Sequence, residues 1–424
     1  MVAAEARSQD DLASHTATWI SANWDLDLTL AEWWDRLFDS GYAYPTWPLG
    51  LGGFGASASQ ARAVSTALAE AGVVGPPSGL GPNLGGPTLL AHGTAEQQRR
   101  LLEPMARGRT QWCQLFSEPG AGSDLASLAT RAERDGDEFV ITGQKVWNSK
   151  ADESDWGMLL ARTDTDQPKH RGMTFMLLDM HQPGVEARRL VQMNGAAEFC
   201  EVFITEARAK VVDVIGAVDD GWNVARTTLA SERAMAAAGK GRGMVTVDAG
   251  AAGGNLDRTV ADLIEESKRA MADTSRRVEV LLNWRTMLAV ALEFGVTDDP
   301  VLRDRLMRYF THSEVYRFNG QRARDWAKSG KPGPDGSMMK LDLAMMAHEA
   351  RDLSLAMLGA EGMLNGESAR DHARVQRAAL SAFAPSFGGG TNEIQRNIIG
   401  ERTLGLPREP GNDNDIAFRD LRRS

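Results

Sequence analysis

Apolar positions change their spacing twice along this chain. Over the first 110 or so residues they recur at helical intervals. Asp11–Asp39 is helix-rich in pattern, Ser57–Ala71 repeats it, and Thr94-Ala95-Glu96-Gln97 has the form of a capping box ahead of Leu101 and Leu102. Pro45–Gly55, with its prolines and glycines, reads as a loop. From about Cys113 to Thr205 the apolar residues fall in short runs, at Phe139–Thr142, Met158–Ala161, Met173–Leu178 and Val202–Thr205, separated by charged or Gly/Pro turns. That texture predicts an antiparallel β unit closing as a small barrel. From Gly221 onward the pattern is helical again. Leu302, Leu306, Tyr309 and Phe310 share one helical face, Leu355 and Leu358 another, and Lys328–Ser337 reads as a loop between two long helices.

Composition narrows the options. A chain of 424 residues with 42% apolar content can build two to three packed units. No apolar run approaches the ~18–20 residues that span a bilayer, and the start, Met1-Val-Ala-Ala-Glu-Ala-Arg-Ser, lacks a basic end followed by an apolar stretch. Two cysteines, Cys113 and Cys200, give neither a disulfide framework nor a metal-ligand spacing, so the expectation is a cytoplasmic, metal-free protein. A formal charge of −10 argues against nucleic acid as the main ligand. A local cationic patch for the phosphates of a nucleotide-like substrate remains compatible with it.

The chemistry is concentrated between Leu115 and Ser149. Phe116-Ser117-Glu118-Pro119-Gly120-Ala121-Gly122-Ser123-Asp124 is followed, after a Phe-Val-Ile strand, by Gly143-Gln144-Lys145-Val146-Trp147-Asn148-Ser149. Either half alone is readable as a tight turn or as a core tryptophan; the two together, in this order and spacing, are far rarer. They resemble the flavin edge of the acyl-CoA dehydrogenases, and the resemblance runs through nearly the whole chain. It implies an α+β fold with a helical domain over 1–112, a middle antiparallel β-barrel over 113–209, and a C-terminal four-helix bundle over 210–424. Relative to that family, an insertion near 249–290, opened by the Gly/Ala-rich Asp248–Asn255, is expected to extend or split a bundle helix.

A flavin asks a protein for a flat apolar contact, donors for its ring heteroatoms and stabilisation of its phosphates. By the resemblance, the backbone at Phe116 and the hydroxyl of Ser117 face the ring, Trp147 covers it, and Ser149 approaches the ribityl-phosphate side. Gln114, Gly122, Ser123, Thr391 and Gln395 complete the expected FAD contacts. Gly120 and Gly122 are expected to permit turns that a Cβ would obstruct. Ser123 is also the position that meets the pantetheine–phosphate part of coenzyme A.

The implied reaction is α,β-elimination on an acyl thioester, with a base on the face opposite the flavin. Much of the family carries that base in a Tyr-Glu-Gly-Thr-x-x-Ile-Gln motif. Here the stretch reads Gly388-Gly389-Gly390-Thr391-Asn392-Glu393-Ile394-Gln395-Arg396, so Gly389 stands where the carboxylate would be. Its backbone N–H can still serve the thioester oxygen. Another branch carries the base in an earlier Glu-Arg pair, present here as Glu232-Arg233, eleven residues after Gly221-Trp222. The resemblance assigns Glu232 as the base and Arg233 as a coenzyme A contact; the plain alternative is a solvated helix pair.

Two further departures concern assembly. In homo-oligomeric members a neighbour completes each flavin site through Arg-x-x-Phe-Gly and through Gln before a Gly-Gly-Asn-Gly turn. The equivalents here are Ala291-Leu292-Glu293-Phe294-Gly295 and Ala356-Met357-Leu358-Gly359-Ala360-Glu361-Gly362. Loss of both arms resembles one half of an α2β2 heteromer for bulky acyl-CoAs, as do the Glu198–Phe203 run and the Gly400–Pro407 ending. The alternative is a homo-oligomer using Arg396. The implied partners are an acyl-CoA substrate, an electron-transfer flavoprotein and a homologous subunit. Two other readings stand beside the dehydrogenase: a catalytically silent scaffold subunit, and a flavin oxidase or monooxygenase on the same fold.

Overall fold

In the computed structural model, residues 9–238, 244–250, 254–272, 283–328, 335–408, 410, 413 and 415–421 are described. They form two compact units. The first draws on Met1–Leu190, Ala197–Arg269 and Gly411–Ser424, the second on Val191–Ala196 and Ala270–Pro410.

The first unit begins with helices α1 (Gln9–Asn23), α2 (Leu30–Ser40), α3 (Ala58–Glu70), α4 (Gly86–His92) and α5 (Ala95–Ala106). Their ends follow local chemistry. Thr29, Ser57 and Thr94 each accept from the backbone three residues on, while Glu32, Gln60 and Gln97 reach back to the cap. The α2 helix stops at Gly41, at φ 81°, a left-handed stop that costs a glycine little. Leu30, Trp33, Trp34 and Leu37 are its buried stripe, packed with Leu12, Ile20, Val64 and Leu68. The indoles of Trp33 and Trp34 donate to the carbonyls of Val74 (2.7 Å) and Gly75 (2.9 Å), so their burial leaves no polar group unpaired.

Seven strands follow: β1 (Trp112–Leu115), β2 (Arg131–Asp135), β3 (Glu138–Ser149), β4 (Trp156–Arg162), β5 (Met173–Asp179), β6 (Val185–Leu190) and β7 (Phe199–Lys210). They form one curled sheet in the order β1-β4-β2-β3-β7-β6, with β5 on β4. The sheet is mainly antiparallel, as expected, with two parallel contacts added. Strand β1 runs parallel to β4, Trp112 opposite Trp156, and β2 meets β4 in a parallel bridge between Arg131 and Arg162. Because β2 and β3 intervene in sequence, the crossover is long enough for parallel pairing. Strands β4 and β5 are buried on both faces, which explains their continuous apolar runs. Met158, Leu160 and Phe175 face a core shared with α4, α5 and the next helix, α6 (Gly221–Ala238). Leu159, Ala161 and Met176 face the inside of the sheet with Phe139, Ile141 and Val202. A Cβ at Gly221 would lie 2.5 Å from the Phe175 amide nitrogen, so only glycine lets α6 start against β5.

The stretch entering the expected insertion, and its described residues 254–269, pack in the first unit. Residues 244–249 run alongside 74–78, with parallel bridges Val74–Val245 and Ser78–Asp248. The Leu30 amide donates to Arg258 and the Val260 amide to Leu28, each at 2.9 Å. Val247, Val260 and Leu263, the latter two on α7 (Val260–Ala272), join the N-terminal aromatic core. The segment was expected elsewhere because its apolar residues have no strong period of their own; they fill gaps in a core made by others. Residues 251–253 and 273–282 of the insertion lie outside the described set.

The second unit contains α8 (Trp284–Glu293), α9 (Pro300–Lys328), α10 (Asp335–Leu358), α11 (Arg374–Ser381), α12 (Ala384–Phe387) and α13 (Asn392–Ile398). Helices α8 to α11 share one core of Met287, Val290, Leu306, Tyr309, Met346, Leu353, Met357 and Val375. Each fully buried Leu or Met there contributes about 1.5–3 kcal/mol of transfer free energy. The Leu302, Leu306, Tyr309 face is the packed one, while Phe310 meets Trp284 edge-on at 4.9 Å. The predicted loop at 328–337 is shorter at both ends: Lys328 closes α9 and Asp335 opens α10, with 329–334 outside the described residues. No helix among the described residues is long and apolar enough to cross a membrane.

Candidate active site

In the first unit the site grows from the end of β1. Phe116 is buried, edge-on to Phe175 at 5.9 Å, and Ser117 accepts the Val146 amide at 2.9 Å, which ties the two halves of the motif together. Glu118 and Ala121 exchange backbone hydrogen bonds of 3.1 and 3.0 Å, closing a tight turn. The role expected of Gly120 and Gly122 is not supported. Neither sits at positive φ, and a Cβ on either would meet nothing within 4 Å. The turn is closed by Glu118 rather than permitted by glycine.

Lys145, quoted in the motif but given no role there, is fully buried beneath this turn. Its ammonium donates to Phe116 O (2.9 Å), Leu160 O (2.8 Å) and Glu118 Oε1 (2.9 Å), using all three N–H groups. Glu118 also accepts the Ala129 and Thr130 amides at 2.7 and 2.8 Å. Burial pushes the Lys145 ammonium down and works against the Glu118 carboxylate. Lys145 and the amides more than offset that for Glu118, which is held below its usual range. The available signal was positional: Lys145 falls in the alternating series of Phe139 and Ile141, the buried face of β3.

Trp147 lies within a bulge of β3, between Lys145 and Asn148. It holds φ at 63°, in the left-handed region, and is 60% exposed, its ring edge-on to Phe199 at 5.9 Å. The core-tryptophan alternative is therefore overturned. A large apolar ring held outside the core by strained backbone points to a ligand contact. Next to it, Asn148 is buried. Its Nδ2 donates to the Gln114 carbonyl (2.6 Å), and its Oδ1 has no hydrogen-bond partner among the described residues. Ser149 ends β3 opposite Phe199, and Lys150 after it pairs with Asp248 of the inserted segment.

Glu232 lies on α6, one turn after Thr228, whose hydroxyl meets that of Thr88 on α4 at 2.8 Å in the core. Glu232 is largely enclosed. Burial pushes its carboxyl up, while a hydrogen bond with the Gln114 side chain and the charge of Arg233 pull the other way. Gln114 thus joins three elements: its side chain reaches Glu232, its carbonyl holds Asn148, and Phe116 is two residues on. Arg233 and Ser123 are exposed.

In the second unit, Gly389 and Gly390 adopt φ of 64° and 88°, left-handed values natural to glycine. Gln395 Nε2 donates to Gly389 O (2.8 Å), and Lys340 on α10 donates to Gly390 O, a contact sequence reasoning missed. Thr391 caps α13, accepting the Ile394 amide at 3.3 Å. Gln395 is only 3% exposed, and its Oε1 is unpartnered among the described residues. Of the substituted arm positions, Ala291 is buried in the helical core and Glu293 faces Arg374 at 3.4 Å, so its charge is matched.

These features fit a flavin on chemical grounds. Within the first unit, one exposed aromatic ring, a buried acceptor with no partner among the described residues (Asn148 Oδ1) and a rigidly held Phe116–Ser117 backbone are the apolar contact and polar partners that such a cofactor requires.

Comparison with known proteins agrees. The N-terminal, middle and C-terminal domain models of acyl-CoA dehydrogenase match residues 3–109, 113–207 and 275–404. The chain is 39% identical over 378 residues to the acyl-CoA dehydrogenase IpdE1 of Mycobacterium tuberculosis, covering 89% of this chain and 88% of that one. Among solved structures, the ChsE4–ChsE5 complex from Mycobacterium tuberculosis aligns with a TM-score of 0.63 at 26% identity, over 96% of this chain and 100% of that one. The Tcur3481–Tcur3483 steroid ACAD aligns with a TM-score of 0.66 over 96% and 100%; at 24% identity it speaks to the fold alone.

Proposed function

The chain belongs to the acyl-CoA dehydrogenase family of oxidoreductases, and from that premise we propose that it binds FAD and desaturates an acyl-CoA thioester between Cα and Cβ, with Glu232 as the base. Family membership implies a flavin. Phe116, Ser117, Trp147, Asn148 and Ser149 of the first unit are the residues suited to hold FAD, which when bound supplies the acceptor for the β-hydride; the family resemblance alone adds Thr391 and Gln395.

The observation that carries the reading is the enclosure of Glu232 against Gln114. A carboxylate that is partly desolvated is a stronger base than one in water, and bound thioester would desolvate it further. The neutral Gln114 side chain orients the carboxyl without quenching it. The negative charge that develops on the thioester oxygen needs donors. By the family resemblance the Gly389 N–H is the proposed donor, on a loop whose Gly389 and Gly390 carbonyls are held by Gln395 and Lys340. Arg233 and Ser123, both exposed, are the proposed contacts for the coenzyme A portion.

An electron-transfer flavoprotein is the proposed acceptor of the electrons, and a homologous subunit the proposed partner. The partner is supported by Ala291 and Ala356 standing in place of the neighbour-serving side chains and by the likeness to a chain of the ChsE4–ChsE5 complex. The same two losses, with glycine at 389, favour a second reading in which this chain is the silent subunit. Two experiments separate them. Glu232→Gln should keep yellow flavin but lose exchange of the substrate α-proton; a fully active variant removes Glu232 from the role. Co-purification with the partner and flavin-to-subunit stoichiometry should give one FAD per pair of unlike chains, with that FAD lost when Trp147 and Asn148 of this chain are changed. Retention of FAD there identifies the silent subunit.

A further inference from the structure

The segment Asp413–Leu421 belongs to the first unit, although the chain passes through the second before reaching it. Its described residues dock on the loop that joins β4 to β5. The Phe418 amide donates to Gln167 O (2.9 Å), the Arg419 amide to Thr165 O (3.0 Å), and Ala417 bridges Pro168. Arg419 pairs with Asp166 at 2.7 Å, and Asp413 with Lys169 at 2.7 Å. Phe418 is buried, its ring 4.0 Å from the guanidinium of Arg162.

Arg162 is the hub of this arrangement. It is buried at the end of β4 and donates to Lys169 O (3.0 Å), Arg171 O (2.7 Å) and Ala126 O (2.6 Å). One guanidinium therefore holds the β4–β5 loop and the turn that follows Ser123-Asp124. Lys169 reinforces the link by also pairing with Asp124 at 3.1 Å. On its other side the loop reaches α6: Thr163 donates to Asp219 (2.5 Å), and the His170 ring meets Trp222 at 5.1 Å. Asp219 itself sits at φ 66° just before α6 begins.

We propose that the C-terminal segment is a strap that positions the Ser123 turn relative to helix α6, and through it tunes recognition of the nucleotide half of the acyl-CoA. Phe418 and Asp413 act as positioning residues; neither touches substrate. A backbone pair, two ion pairs and a buried ring all serve a loop that, among the described residues, also attaches to the turn after Ser123 and to the start of the helix that carries Glu232. The proposal rests on the reading of Ser123 as a substrate contact. An acyl-CoA spans from Ser123 to Glu232, so a loosened strap should cost affinity for the long carrier and leave the chemistry at the acyl end intact.

The test uses the full chain with any co-purifying subunit. The best substrate among octanoyl-CoA, isovaleryl-CoA and a steroid side-chain CoA thioester is compared with its S-acyl-pantetheine counterpart, which lacks the nucleotide. Phe418→Ala should raise KM for the CoA thioester about tenfold with kcat and flavin content unchanged, and leave KM for the pantetheine thioester unaffected. Phe418→Tyr, which keeps a ring over Arg162, should restore the wild-type KM. Should Phe418→Ala fail to fold, Asp413→Asn carries the same expectation at smaller amplitude. An unchanged KM, or an equal rise for both thioesters, overturns the strap while leaving the dehydrogenase reading in place. If the wild type binds the CoA thioester without oxidising it, the same contrast is read in Kd, and a strap-dependent Kd upholds the strap while the dehydrogenase reading fails. Wild type that neither binds nor oxidises any of the three overturns both.

Discussion

Lys145 Nζ stands 2.9 Å from Glu118 Oε1, with the lysine side chain wholly shielded from solvent. An ion pair in such a place is held as much by its other hydrogen bonds as by its own attraction, and removing one partner strands the other. Lys145→Met should therefore destabilise the first unit by about 3–5 kcal/mol. It should also free the Phe116 carbonyl. Adding Glu118→Gln should recover part of the loss, because the glutamine carries no charge to strand and its single oxygen still accepts one of the Ala129 and Thr130 amides. Urea unfolding of the two single variants and the double variant measures the coupling; additive effects would show that the pair does not act as one.

Trp147 lends itself to a contrast between stability and cofactor. An L-residue in the left-handed region costs roughly 1 kcal/mol that glycine does not incur. Trp147→Gly should accordingly be about 1 kcal/mol more stable than Trp147→Ala, while both lose most of their flavin. Thermal melts with flavin absorbance read the two quantities on the same samples. Equal stability of the two variants would mean that the backbone at 147 relaxes once the ring is gone.

How much of this was legible in the sequence depended on the range of the interaction. The Thr94–Gln97 capping box is a four-residue affair and is found where the sequence put it. The motif from Phe116 to Ser149 was legible as a string, yet its internal wiring was not: Lys145 reaches back to Phe116 across 29 residues, and only the fold brings them together. Glu232 could be placed on a helix by its register with Gly221. Its contact with Gln114, more than a hundred residues earlier, depends on α6 lying against β5, and no periodicity encodes that. The inserted segment misled for the opposite reason. Val245 and Val247 belong to a core most of whose members lie before residue 75, so their neighbours in sequence say little about most of their neighbours in space.

Glu232 also makes a prediction about pH. Burial raises its folded-state pKa above the ordinary glutamate value, and a base works only when deprotonated. kcat/KM should climb with pH through that raised pKa and then level off. Stability carries the opposite sign. The folded state binds this proton more tightly than the unfolded chain, so the carboxylate costs stability once pH passes the unfolded value. Glu232→Gln should raise the urea midpoint near pH 7 and leave it unchanged near about pH 4, where the carboxyl is largely protonated in both states. A lower midpoint at neutral pH would show that the carboxylate is stabilised in place, which is unlike a base held ready.

In the second unit, His312 on α9 lies between two carboxylates of α10, with Nε2 2.6 Å from Asp342 and Nδ1 2.9 Å from Glu349. Burial opposes the imidazolium, but hydrogen bonds and charge from Asp342 and Glu349 outweigh it and raise the His312 pKa. Tyr309 and Tyr316 are the other titratable groups coupled to these acids, and burial drives both of their pKa values further up, so they stay neutral throughout. With a folded pKa above the unfolded value of about 6.5, the stabilisation is fully present below that pH and is lost as pH rises through the folded pKa. Partial exposure limits its size to about 1 kcal/mol. Unfolding between about pH 5 and 9 should therefore show stability falling on the alkaline side, and His312→Gln should flatten that fall. A variant with an unaltered slope would mean that the three groups share no proton-linked energy.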